Sequence, residues 1–190
     1  MDPALVRLRD VLSPPDGLTD RDVNWAEVEA ELAMMFPTSF KEYVGLYGGC
    51  NWFDLYFMLY PDPHEPKGRY VEHVRALLND VAAAGITDDG CTLYPEPGGL
   101  FPFITSSDGD YYFWRTEGQD PQRWPIVVWQ MPGLFTLASQ TIAELWLIRI
   151  NLQHNIGRTD PEVGADRGTC FPTCVALVPE APLWSGLDAL

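Results

Sequence analysis

The chain has 190 residues, enough for one packed domain with extensions. Hydrophobic residues make up 46% and charged residues 21%, an ordinary globular balance that excludes wholesale disorder. With 27 acidic against 12 basic residues the formal net charge is -15, which excludes binding of nucleic acid by phosphate neutralisation and docking on anionic lipid.

The opening residues, Met1-Asp2-Pro3-Ala4-Leu5, lack the cationic start and apolar run of a secretory signal. No stretch approaches the ~20 apolar residues of a membrane span. A cytoplasmic protein is therefore expected, with its four cysteines (Cys50, Cys91, Cys170, Cys174) as free thiols. Acidity is concentrated at the front, where residues 1–66 hold twelve acidic and four basic side chains. A cationic partner would feel that region first.

Leu5, Leu8, Val11 and Leu12 fall at helical spacing, and Pro14-Pro15-Asp16-Gly17 ends that first helix. Asn24 reads as the cap of a second helix, with Glu27 three residues on. Its core stripe is Trp25, Val28, Leu32 and Met35, while Glu27, Glu29 and Glu31 point outward. After Phe36-Pro37, Thr38 or Ser39 caps a short helix carrying Phe40, Tyr43, Val44 and Tyr47, which Gly48-Gly49 stops.

The period then changes to two. Residues 52–60 read as a strand with Phe53, Leu55, Phe57 and Leu59 on its buried face. A helix over 69–84 carries Val71, Val74, Leu78 and Val81. Strands follow at 100–106 and 110–114, joined through the Ser107-Asp108-Gly109 turn, then at 124–129 and 133–137. A helix capped by Ser139 or Thr141 runs to about Leu152. Strands joined by tight turns are antiparallel, and helices at both ends of the chain would lie on one face. The fold class is α+β, a single mostly antiparallel sheet with helices packed on one face. Tyr111 to Trp114 alternate across a strand, so two of these aromatics face away from the helices. Residues 155–190 would cover that second face; left open, it would be a contact surface.

Chemistry-bearing motifs are few. Asp88-Asp89-Gly90 lacks the spaced ligands of a calcium loop and reads as a solvated turn. The cysteines and His64, His73 and His154 do not fall into zinc spacing. His73 beside a core stripe reads as a packed histidine, and Ser106-Ser107 has no nucleophile-elbow context. No phosphate loop is present, and the only lysines are Lys41 and Lys67. No enzyme, no metal and no cofactor is expected.

Two segments carry a family likeness. Glu29-Ala30-Glu31-Leu32, the run from Phe36-Pro37-Thr38-Ser39-Phe40-Lys41 to Tyr43, and Tyr47-Gly48-Gly49 form the first. Leu100-Phe101-Pro102-Phe103 with Ser107-Asp108-Gly109-Asp110 and the strand to Trp114 form the second. In this order they resemble the SUKH superfamily, which includes bacterial immunity proteins and fungal cell-wall-assembly regulators. Trp124-Pro125-Ile126-Val127-Val128 and the helix to Leu152 fall where that family has its next strand and last helix. The resemblance covers a SUKH-like domain (24–152); it leaves out the N-terminal helix and linker (1–23) and residues 155–190, which show no clear period and read as an irregular extension packed on the domain. It implies a protein-binding role without catalysis, in bacterial members the neutralisation of a toxin such as a nuclease or deaminase by direct contact. Toxins that act on nucleic acid are cationic, so carboxylates flanking the sheet and its loops are the expected contacts: Asp54, Asp62, Glu65, Asp108 and Asp110. The alternatives are a regulatory or scaffold module binding endogenous signalling partners and, last, an uncharacterised enzyme.

Overall fold

The computed structural model describes residues 1–16, 22–86, 90–130, 133–137 and 141–156. In chain order the elements are α1 (Pro3–Val11), α2 (Trp25–Leu32), α3 (Thr38–Tyr47), β1 (Tyr56–Met58), α4 (Arg69–Ala83), β2 (Leu100–Ser106), β3 (Tyr111–Arg115), a single 3-10 turn (Pro121–Arg123), β4 (Ile126–Gln130), β5 (Gly133–Thr136) and α5 (Ile142–Ile156). The five strands form one sheet in sequence order, every pair antiparallel. This is the α+β architecture that the period changes predict.

Helix ends follow local chemistry, though not always the residues expected. Asp2 caps α1 by accepting the Ala4 N–H at 2.9 Å. Thr141 caps α5 through the Glu144 N–H at 3.2 Å. Asn24 makes no such bond; its amide instead donates to the Glu27 carboxylate at 3.1 Å. Nor do Thr38 or Ser39 cap α3, whose N-cap position is Pro37. Glu29 does not point outward. It accepts the Phe36 N–H at 2.8 Å and pairs with Lys41, bracing the joint between α2 and α3. Ala33 ends α2 in the left-handed conformation, which buries Met34 and leaves Met35 exposed, against the stripe expected.

The strand predicted over 52–60 shrinks to three residues. Phe53 and Asp54 both have positive φ, and Tyr56 N–H turns back to Trp52 O at 2.9 Å. The tight turn reverses the alternation: Tyr56 and Met58 are buried and Phe57 is only half-buried. Packing decides it, because the Trp52 ring must lie flat on Trp146, 4.5 Å away and 4° from parallel. The sharp reversal after α3 needs Gly48, at φ 58° and ψ -145°.

Register sorts the sheet into two faces. Phe101, Ile104, Tyr112, Trp114, Ile126 and Val128 share the first face and the main core with α1, α2, α3, α5 and the Tyr70, Val71, Val74 and Leu78 side chains of α4. A bulge between Pro102 and Ile104 turns Phe103 onto the same face, where it stacks on Trp114 at 4.2 Å. The second face carries Leu100, Phe113 and Val127, closed by Val81 near the end of α4 and by Ile86. So only the C-terminal end of α4 and the turn after it reach the second face; the rest of the helix packs in the main core. Tyr111, Trp129 and Leu134 flank this smaller core half-buried. Of residues 155–190, expected to cover this face, 155–156 end α5 and 157–190 lie outside the described residues, as do Asp88 and Asp89. Cys91 is a free thiol, whereas Cys50 is disulfide-bonded. The all-thiol expectation therefore fails at Cys50. Among the described residues no helix is long and apolar enough to cross a membrane.

Two expectations follow. A Cβ on Gly99 would sit 2.5 Å from the backbone carbon of Leu93, where that strand of chain crosses beside Leu100. Backbone cannot swing aside, so Gly99→Ala should cost about 1–3 kcal/mol, read as a lowered urea midpoint at unchanged slope. The core tyrosines give the second. Burial raises Tyr43, Tyr70 and Tyr112, and pushes Tyr47 up to about 12 against the opposing charge of Arg9. A phenol whose folded pKa exceeds its unfolded value of 10.0 contributes stability fully present below pH 10 and lost as pH rises through the folded value. Stability should hold to about pH 10 and fall toward pH 12, with tyrosinate absorbance and loss of circular dichroism rising together.

Candidate acidic interface

Helical spacing puts Asn24, Glu27, Val28 and Glu31 on one side of α2. Opposite runs Pro61-Asp62-Pro63-His64-Glu65-Pro66-Lys67-Gly68, whose three prolines keep it out of helix and ladder. Asp62 shapes this segment by accepting the His64 N–H at 2.8 Å, and the Pro66 carbonyl accepts from Arg69 at 3.0 Å. Gly68, at φ 79°, then admits the chain into α4. Between the two walls lies a groove of about 320 Å³, extended by Asp22 and Val23 and lined on the α4 side by Tyr70 and Val71.

Five carboxylates line it: Asp22, Glu27, Glu31, Asp62 and Glu65. Among the described residues one cation lines the groove with them. Lys67, with 77% of its side chain exposed, pairs with Glu27 across the groove. The second oxygen of Glu27 takes the Asn24 amide at 3.1 Å. Among the described residues Asp22, Glu31, Asp62 and Glu65 have no ion pair. The chain's two lysines are thus both spent on α2, Lys41 on Glu29 and Lys67 on Glu27.

The five carboxylates expected as contacts do not form one site. Asp62 and Glu65 stand in the groove. Asp54 and Asp108 are exposed at one end of the sheet, where the Ser107 N–H donates to Leu55 O at 2.9 Å and draws their two turns together. Asp110 is half-buried and accepts the Gln130 side-chain amide at 2.7 Å. Its carboxylate does not bond the hairpin backbone; the Ser106 hydroxyl does that, accepting the Asp110 N–H at 3.0 Å. Asp22, Glu27 and Glu31 belong to the groove and were not singled out in sequence. Their signal was there in the i, i+4 spacing of Glu27 and Glu31, which separates them from Glu29.

Catalytic geometry is thin. His73 does not line the groove; burial, then the Arg69 charge, hold its pKa below the ordinary histidine value against Glu65 and Glu72. The side chain of His154 lies outside the described residues. Among the described residues no three His, Cys, Asp or Glu side chains are placed to hold a metal ion.

An acidic groove and a strand-order antiparallel sheet behind α2, the Pro37 step and α3 coincide with a family match. The model described as SMI1-KNR4 cell-wall (SUKH_6) matches residues 22–145, well over half the chain. The chain belongs to this family. No curated protein and no solved structure matches it. SUKH membership supports a protein-binding role. The matched span opens at Asp22, on the rim of the groove, and takes in both carboxylate groups. It leaves out α1, although Leu5 and Leu8 of that helix are buried in the same core.

If the groove carboxylates serve binding, the fold should not need them. Asp62→Asn with Glu65→Gln should melt within about 0.5 kcal/mol of the parent chain, since the asparagine keeps the acceptor for His64. Glu29→Ala, which strands the Phe36 N–H and Lys41, should cost about 1–3 kcal/mol in the same thermal scan.

Proposed function

We propose that this SUKH protein is a non-enzymatic immunity protein that neutralises a cationic toxin domain, a nuclease or deaminase, by direct contact. The observation that carries the reading is the groove between α2 and residues 61–71, where four of five carboxylates have no ion pair among the described residues. Like charges held side by side raise one another's energy, and a basic side chain entering between them relieves it. The net charge of -15 adds long-range attraction for a cationic domain and speeds encounter. Asp62 and Glu65 are the contacts in the groove. Asp54 and Asp108 form a second acidic edge at the sheet end, with Asp110 beside it. The encounter belongs in the cytoplasm, where nucleases and deaminases meet their substrates.

A regulatory or scaffold role remains the second reading, and the cell-wall description of the matched family favours it. The same surface would then serve endogenous partners.

The test is to search the genes beside its own for a cationic nuclease or deaminase domain and to titrate the full chain with that domain; a neighbourhood without one counts against the immunity reading. Association should be fast at low ionic strength and slow as salt rises. Asp62→Asn with Glu65→Gln should lower the on-rate by roughly tenfold at low salt. An on-rate indifferent to both salt and the two substitutions would remove the groove from the interface. Pull-down of several endogenous proteins and no toxin would favour the regulatory reading.

A further inference from the structure

The groove already holds one basic side chain, and it is the chain's own. The geometry points to Lys67 as a built-in competitor: its ammonium occupies Glu27, the place a partner's arginine or lysine takes when the groove is filled. This rests on the groove being the partner site and adds how access to it is controlled.

Three observations carry it. Lys67 sits on the proline-rich wall and reaches the α2 wall, so its ion pair spans the groove rather than running along one side. The pair is exposed, with 77% of the lysine and 30% of the glutamate side chain accessible, and such pairs hold weakly enough to be exchanged. Among the described residues no other ion pair or hydrogen bond holds the lysine head, whereas the second oxygen of Glu27 also accepts the Asn24 amide. A departing Lys67 therefore leaves Glu27 preset for another cation. An incoming guanidinium has the advantage, because its planar fork bonds a carboxylate through two donors where an ammonium offers a point charge. The consequence is selectivity: a lysine-bearing ligand merely replaces like with like, while an arginine-bearing one gains a second hydrogen bond.

The experiment measures binding of tetra-arginine and tetra-lysine peptides to the full chain by calorimetry. Lys67→Gln is compared with the parent and with Arg123→Gln, which removes the same charge from an exposed i, i+3 pair with Asp120 elsewhere. Built-in competition predicts that Lys67→Gln tightens tetra-arginine binding by about threefold or more beyond Arg123→Gln. It also predicts that the parent prefers tetra-arginine to tetra-lysine. Equal tightening by the two variants would mean only a change in net charge and would overturn the inference. If Asp62→Asn with Glu65→Gln weakens the peptides while Lys67→Gln does nothing special, the groove stands as a cation site and the competitor role falls. If the Asp62/Glu65 variant binds both peptides as the parent does, the groove reading falls and the competitor role with it.

Discussion

Everything in this fold hangs on rings packed against one face of the sheet. Trp114 is the hub. Phe103 stacks on it at 4.2 Å, Phe40 meets it edge-on at 5.0 Å, and Phe36 approaches at 6.2 Å. Trp25 then joins Phe36 and Phe40 at 5.4 and 5.6 Å, so α2 and α3 are fixed to β2 and β3 through aromatic contacts. A second set, Tyr43, Tyr47, Trp52, Trp146 and Tyr56, fixes α3 and α5 to the turn before β1. Rings of this size contribute both buried area and edge-to-face or stacked geometry, so they set the angles between elements as well as holding them together.

The groove inherits its rigidity from those contacts. Its α2 wall is held from behind by Trp25 and from its end by the Tyr94 hydroxyl, which donates to Leu32 O. Its other wall leads into α4, where Tyr70 and Val71 enter the main core. Apart from the Asp62 bond to the His64 N–H and the Glu27–Lys67 pair, the groove carboxylates take no part in holding the walls. Their mutual repulsion is borne by the apolar frame behind them. Glu29 shows the opposite arrangement on the same helix. It has a backbone donor and a lysine to satisfy, and it is therefore part of the frame.

Local rules were legible where a residue's own chemistry decides its conformation. Gly109, at φ 84°, makes the hairpin turn that Asp-Gly announces, and the α4 stripe of Val71, Val74, Leu78 and Val81 is buried as its spacing implies. The misreadings share one cause, competition from distant partners. Alternation over residues 52–60 suggested a longer strand, but Trp52 is drawn to Trp146, nearly a hundred residues on, and the chain must turn at Phe53 and Asp54 to allow it. Glu29 looked solvent-facing until the Phe36 N–H claimed it. Of the candidate site, Asp62 and Glu65 were legible as acidic loop residues, but their convergence with Glu27 and Glu31 was not, since the two walls are joined only by tertiary packing.

By itself the sequence determined the class of fold, the order of its elements, the family likeness and the acidic character, because periodicity, turn residues and net charge are properties of short stretches or of the whole sum. Tertiary structure alone decided which carboxylates meet, which are consumed by backbone and lysine, and which face of the sheet each aromatic serves. The reason is that a side chain's availability depends on who arrives opposite it, and that is fixed only when α2, the proline-rich segment and the sheet are packed together.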